Sequence, residues 1–274
     1  MQLDGKVAIV TGASRGVGAA TAIMLAERGC KVACAARATD AAPVPIPGTI
    51  DETVRKIRDA GGDAFAVPTN LAKETEVERM VASTIDHFGR VDILVNNAAI
   101  TFPGDLDLDM KRFDLVMNVD LRAPLQAIRA VMPSLKAQRG GSILNISSSA
   151  GLNYFPGLMA YGMAKAALEH LTVSAAHQLR PFDVAVNTFR IDVPVASEGF
   201  VFNLPDVDHS DWEPSEVAAE GIVWMLEQPP SYTGQNVGMA RLREEQGIMA
   251  SRAERPHRQQ AQIVKDTHLR PVDQ

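Results

Sequence analysis

Tyr161 and Lys165 stand four positions apart in Tyr161-Gly162-Met163-Ala164-Lys165. On a helix, side chains at i and i+4 share a face. An ammonium beside a phenol favours the phenolate and draws its pKa down from about 10. The spacing therefore predicts a tyrosine moved toward the range useful for general acid/base work. A Tyr-x-x-x-Lys pair also arises on helices with no chemistry to perform, so its surroundings carry weight. Ser148 lies upstream, just past the apolar run Ser142-Ile143-Leu144-Asn145-Ile146. At the carboxyl end of a strand its hydroxyl would face a ligand crevice and hydrogen-bond a substrate oxygen. Ser147 and Ser149 are equivalent by composition, and only spacing favours Ser148. Asn118, in Met117-Asn118-Val119-Asp120, interrupts a helical pattern with a residue that favours turns and caps.

A second group of residues suits a phosphate. Thr11-Gly12-Ala13-Ser14-Arg15-Gly16-Val17-Gly18 follows the apolar run Val7-Ala8-Ile9-Val10 and precedes the helix formers of 19–27. A helix N-terminus presents unpaired N–H groups and a positive dipole to an anion. Glycines let the backbone approach a pyrophosphate and let helix pack on strand. Many such folds carry an acid for the adenosine ribose about 20 residues further on, or an arginine for a 2′-phosphate. The run Ala35-Ala36-Arg37 has no acid at its tip. Arg37 and Arg15 offer planar donor forks for phosphate, so NADP(H) is favoured as cofactor and NAD(H) remains possible.

The elements that must position these groups alternate. Lys31–Ala36, 92–95, 142–146 and 184–188 read as strands. Ile50–Asp59, 74–87 and Met159–Leu179 read as helices, as does most of 108–138, where Pro133 is expected to bend or end the pattern. Strands alternating with helices predict a parallel sheet covered on both faces, a Rossmann-type doubly wound α/β/α sandwich of about seven strands. The expected organisation is one domain over 1–240, with an irregular stretch at 38–47, a substrate lid at 192–214 and a polar C-terminal tail at 241–274.

Bulk properties narrow the function. The chain has 274 residues, 46% of them hydrophobic, enough for a full core. A formal charge of -6 leaves no basic surplus for a polyphosphate backbone, so nucleic-acid binding is not expected. No apolar run reaches the roughly 18 residues needed to span a bilayer. The opening Met1-Gln2-Leu3-Asp4-Gly5 has no long apolar segment typical of a secretory signal. The two cysteines, Cys30 and Cys34, would lie about 13 Å apart along a strand, beyond disulfide reach. Reduced thiols fit a cytoplasmic protein. No metal site is indicated.

Taken in order, the Thr-Gly-x-x-x-Gly-x-Gly turn, Asn96-Asn97-Ala98-Ala99, the isolated Asn118, Ser148 and Tyr161-x-x-x-Lys165 resemble the short-chain dehydrogenase/reductase family, from Lys6 to about Gly238. Pro47-Gly48-Thr49-Ile50 is similar to a hydroxysteroid dehydrogenase-like subgroup. The resemblance implies an NAD(P)(H)-dependent oxidoreductase that interconverts a carbonyl and an alcohol. It implies that Tyr161 exchanges the proton, Ser148 orients the substrate oxygen, and Lys165 lowers the Tyr161 pKa and holds the nicotinamide ribose. It gives Asn118 a water linking Lys165 to solvent, and sets Asn96 beside the adenosine ribose. Asn97, Ala98, Asn70, Leu71 and Val193 would complete the cofactor site, with Gly12, Ser14, Arg15, Gly16, Val17, Gly18 and Arg37. Phe102, Asn153, Phe155, Asp192 and Phe200 are substrate-side candidates, which suits a small apolar substrate. Ile191-Asp192 departs from the family's Pro-Gly after the sixth strand, leaving a catalytically weak regulatory or scaffold protein as the rival reading. A homodimer or homotetramer, packed through 108–138 and Met159–Leu179, is the implied assembly.

Overall fold

The computed structural model describes residues 1–203 and 205–255. Seven parallel strands form one sheet in the order β3-β2-β1-β4-β5-β6-β7. They are β1 (Val7–Thr11), β2 (Lys31–Ala36), β3 (Asp63–Pro68), β4 (Ile93–Asn96), β5 (Gly141–Ser148), β6 (Val184–Ile191) and β7 (Asn236–Gly238). The order reverses direction between β1 and β4. In such sheets that reversal opens a crevice at the carboxyl ends of the strands. The expected doubly wound fold is present.

Alternation along β1 divides the core. Ala8 and Val10 face one apolar layer with Leu25, Val32, Ile50 and Phe189. Ile9 faces the other with Leu94, Met80, Val131 and Ile143. All five β1 residues are buried, as a strand covered on both faces requires. The helices α1 (Gly16–Glu27) and α8 (Ser215–Glu227) pack together on the first layer. On the second lie α3 (Glu74–Phe88), α5 (Ala123–Gln138) and α6 (Met159–Leu179), while α2 (Ile50–Asp59) returns to β3. A capping box starts α2: Thr49 Oγ1 accepts from the Glu52 N–H and Glu52 accepts from that of Thr49.

Several boundaries differ from those expected, each for a local reason. Helix α1 begins at Gly16, three residues earlier than propensity suggests, because the glycine turn leads straight into it. Strand β3 was not read from the sequence. It is short, half-exposed, and sits at the sheet edge, where the terminal Pro68 is tolerated. Pro133 neither ends nor breaks α5. It lies on the exposed side with Arg129, whose carbonyl it leaves unpaired and which is also exposed.

The stretch 108–138 is not one helix. Helix α4 (Met110–Met117) passes into a π turn over Asn118–Arg122, where the Ala123 N–H donates to the Asn118 carbonyl, and α5 follows. Such bulges widen a helix by one residue and re-aim its side chains. The 192–214 connection carries a short helix, α7 (Glu198–Asn203), and α9 (Met239–Gln246) runs across position 240. Residues that follow α9 return to the connection: the Arg252 N–H donates to Glu213 and the Arg255 N–H to the Ser210 carbonyl. The rest of the 241–274 tail lies outside the described residues.

Candidate active site

The carboxyl ends of the strands border a cleft of about 1890 Å³. Single-ligand pockets usually measure about 300–1,000 Å³, so this one has room for a dinucleotide and a second molecule. The glycine turn forms one end. Gly12 and Gly16 have φ of 69° and 56°, in the left-handed region that glycine adopts freely. A Cβ on Gly12 would come within 2.8 Å of the Ala98 backbone, and one on Gly18 would strike the Gly12 carbonyl. No side chain caps α1, so the N–H groups of its first turn stay available to an anion. This cradle fits a pyrophosphate. Ser14 and Val17 line it.

Three residues expected to contact cofactor also bond within the protein. Asn97 faces the cleft, yet its side chain donates to the Thr11 carbonyl at 2.9 Å and clamps the turn; the Asn97 and Ala98 N–H groups donate to Thr11 Oγ1. Asn96 is buried and donates to Asn145, which donates to Thr172, so it ties β4 to β5 and α6 rather than meeting a ribose. Arg15 lines the cleft, and its Nε and one Nη donate to the carbonyls of Ile46, Pro47 and Gly48 at 2.5–2.7 Å, which ties the 38–47 stretch to the glycine turn. Arg37 is exposed at the end of β2 and borders the cleft. The nearest acid in sequence, Asp40, is held by Arg55 and Thr49, both at 2.6 Å. Asn70 and Leu71 also line the cleft. Asn70 Oδ1 accepts from the Ala72 N–H, which leaves its amide donor for a ligand.

At the other end, Tyr161, Lys165 and Ser148 come together. Helix α6 puts Tyr161, Lys165, Glu169 and Thr172 on one stripe toward β5 and β6. Ser148 ends β5, accepts from the Ala150 N–H at 3.2 Å and lines the cleft with Tyr161, whose pKa it draws down against burial. Ser147 points the other way and donates to Glu169 at 2.8 Å, so geometry separates two serines that composition left equivalent. Lys165 Nζ donates to the Ile146 carbonyl at 2.9 Å and lies 5.3 Å from the Tyr161 ring centre.

The electrostatics differ from expectation in one respect. Tyr161 is held above, not below, its ordinary value: burial is the main cause, and the Asp120 charge adds to it. Lys165 has its own pKa lowered by burial. The residue beside Lys165 is Asp120, at 3.9 Å, not Asn118, which lies two positions earlier in the π turn and does not line the cleft. Asp120 is fully buried and accepts from the Ile100 N–H at 2.9 Å. Burial pushes its carboxyl up to about 7, against the opposing pull of Lys165. The only sequence signal for it was its place in the interrupted helix pattern. That pattern does not say which residue a π turn will aim inward.

Phe102, Asn153, Phe155 and Phe200 line the cleft, with Trp212 edge-on to Phe200 at 5.9 Å. Val193 borders it from the end of β6. Asp192 also lines the cleft, while its Oδ1 accepts from the Ala240 N–H at 2.9 Å in the first turn of α9. Glu169 and Arg190, unremarked in the sequence, form a buried pair behind Lys165, with N–O distances of 2.8 and 2.6 Å. Both cysteines are free and buried, and burial pushes each thiol up to about 12. Among the described residues no cluster suits a metal ion, and no helix is long and apolar enough to cross a membrane.

The family model for short chain dehydrogenase matches residues 6–192. A 3-oxoacyl-[acyl-carrier-protein] reductase of Synechocystis sp. is 40% identical over 188 residues, covering 68% of this chain and 72% of that protein. Hydroxysteroid dehydrogenase-like protein 2 of Homo sapiens is 32% identical over 251 residues, 90% of this chain; the match spans only 59% of the human protein. Among solved structures, a metagenomic short-chain oxidoreductase in complex with NADP superposes with a TM-score of 0.72 at 30% identity, covering 86% of this chain and 97% of that one.

Proposed function

The chain belongs to the short-chain dehydrogenase family, a family of NAD(P)-dependent oxidoreductases, and we propose that it interconverts a carbonyl and an alcohol on a small, largely apolar substrate, with Tyr161 as general acid/base. The observation that carries this reading is the meeting of Tyr161, Ser148 and Lys165 at the open end of β5, beside a glycine cradle shaped for pyrophosphate.

A dinucleotide held in the glycine cradle would supply or accept the hydride. The chain's own residues do the rest. Ser148 holds the substrate oxygen, and Tyr161 gives it a proton in reduction or takes one in oxidation. Lys165, fixed by the Ile146 carbonyl and 5.3 Å from the tyrosine ring centre, would hold the nicotinamide ribose. Phe102, Phe155 and Phe200 give the substrate end an apolar lining, with Asn153 as a polar contact. NADP(H) is favoured over NAD(H), because Arg37 is the exposed group at the tip of β2 and Asp40 is already paired. A homodimer or homotetramer is supported by Met110, Leu125, Met163 and Val173, which expose apolar surface on α4, α5 and α6.

A panel of carbonyls and alcohols with both cofactors, followed at the nicotinamide absorbance band, tests the reaction class. Tyr161→Phe tests the centre: turnover is expected to fall by about 10²–10⁴ while dinucleotide binding persists. Retained turnover in that variant would refute the proposed role. Loss confined to Tyr161 would also argue against a scaffold whose only task is to bind dinucleotide.

A further inference from the structure

Two ionisable groups stand on the inner side of Tyr161, Lys165 and Asp120, and two more, Glu169 and Arg190, lie behind Lys165. Lys165 faces Asp120 at 3.9 Å and the Ile146 carbonyl at 2.9 Å, with Glu169 one helical turn further on. Glu169 accepts from Nε and Nη2 of Arg190 and from the Ser147 hydroxyl. Asp120 meets the Ile100 N–H through Oδ1, from the loop after β4. Its other oxygen, Oδ2, is buried without a hydrogen-bond partner and faces Lys165. With all four ionised, the two cations and two anions cancel. A phenolate on Tyr161 would then be one negative charge too many beside the buried Asp120 carboxylate. A neutral residue at position 120 would leave Lys165 unbalanced and make the phenolate welcome.

We infer that Asp120 sets the working direction of this centre: its carboxylate takes up the charge of Lys165 and so holds Tyr161 in the protonated form, which donates to a carbonyl oxygen. The inference rests on the reading of Tyr161 as acid/base. In reduction the proton leaves Tyr161 Oη for the substrate oxygen, which gains the carbonyl π electrons as a hydride reaches its carbon. Alcohol oxidation asks Tyr161 to start as phenolate, and that is the form the ionised Asp120 opposes. The order of titration reinforces the effect. With a carboxyl pushed up to about 7, Asp120 loses its proton before the tyrosine does, and its charge then resists the second ionisation.

The test is Asp120→Asn, whose amide oxygen can still accept from Ile100, with Asp120→Ser as a second neutral variant should the first fold poorly. Tyrosinate formation in the ligand-free protein is followed by ultraviolet absorbance, and the Tyr161 signal is isolated by subtracting a Tyr161→Phe background. Wild type is expected to show that signal only at the alkaline limit of the folded protein. The neutral variants are expected to show it about one pH unit lower or more. At saturation and fixed pH, kcat for alcohol oxidation relative to kcat for carbonyl reduction should rise about tenfold. Superimposable Tyr161 titrations in wild type and variant would overturn the inference. Turnover surviving in Tyr161→Phe would instead overturn the acid/base reading, so the two failures are distinct.

Discussion

Asp192 accepts a hydrogen bond from the backbone N–H of Ala240 at 2.9 Å, which joins the end of β6 to the first turn of α9. Asp192 stands where the family has glycine, and Gly238 makes room for it: a Cβ at 238 would collide with the Asp192 carboxylate. The departure from Pro-Gly therefore serves the packing of the C-terminal helix.

Removing that cap with Asp192→Ala should cost about 0.5–2 kcal/mol, the usual range for a lost helix cap. Asp192→Asn keeps an acceptor and should cost little. Burial raises the Asp192 pKa, so the folded state binds its proton more tightly than the unfolded state does. Its contribution is therefore fully present below the unfolded value of about 3.9 and is lost as pH rises through the folded value. Wild type should lose ground to Asp192→Asn over that rise. Urea midpoints across the acid range, compared between the two proteins, check the sign; a gap that widens in favour of wild type as pH rises would contradict it.

Arg37 and Arg15 should behave differently although both flank the adenosine end. Arg37→Ala should raise KM for NADPH by about tenfold, the scale of one charge-assisted phosphate contact, and leave KM for NADH nearly unchanged. Arg15→Ala removes three hydrogen bonds to the 46–48 carbonyls. It should loosen that loop, seen as faster amide exchange or proteolysis, and weaken both cofactors together. A selective loss of NADPH in Arg15→Ala would support the expectation that it reads a 2′-phosphate.

Glu169 and Arg190 form a bidentate pair with side chains only 8% and 14% exposed. Removing one partner leaves an uncompensated buried charge, so Glu169→Ala should lower stability by about 3–5 kcal/mol. Replacing both, as Glu169→Leu with Arg190→Met, should recover much of that loss. Chemical denaturation of the single and double variants measures the coupling, and a double variant no better than the singles would show that the pair is not acting as a unit.

Short-range pattern carried much of this molecule. The unbroken apolar run of β1, the glycine turn after it and the length of Met159–Leu179 are local features, and local sterics and periodicity are enough to read them. Tyr161 and Lys165 share a face for the same reason: helix geometry alone decides what lies at i+4. Edge strand β3 escaped notice because a half-exposed run needs little apolar patterning.

The remaining decisions are made by atoms far apart in the chain. Which serine meets Tyr161 depends on β5 standing beside α6, which turns Ser147 to Glu169 and Ser148 to the cleft. Arg15 is claimed by carbonyls about thirty residues away, and Asp192 by a helix nearly fifty residues on. The charge felt by Tyr161 comes from Asp120, which the π turn sets beside Lys165 of α6. Sequence spacing determined that an ammonium sits near the phenol. Only the tertiary structure decided that a carboxylate stands on its other side, because burial and direction belong to packing and not to periodicity.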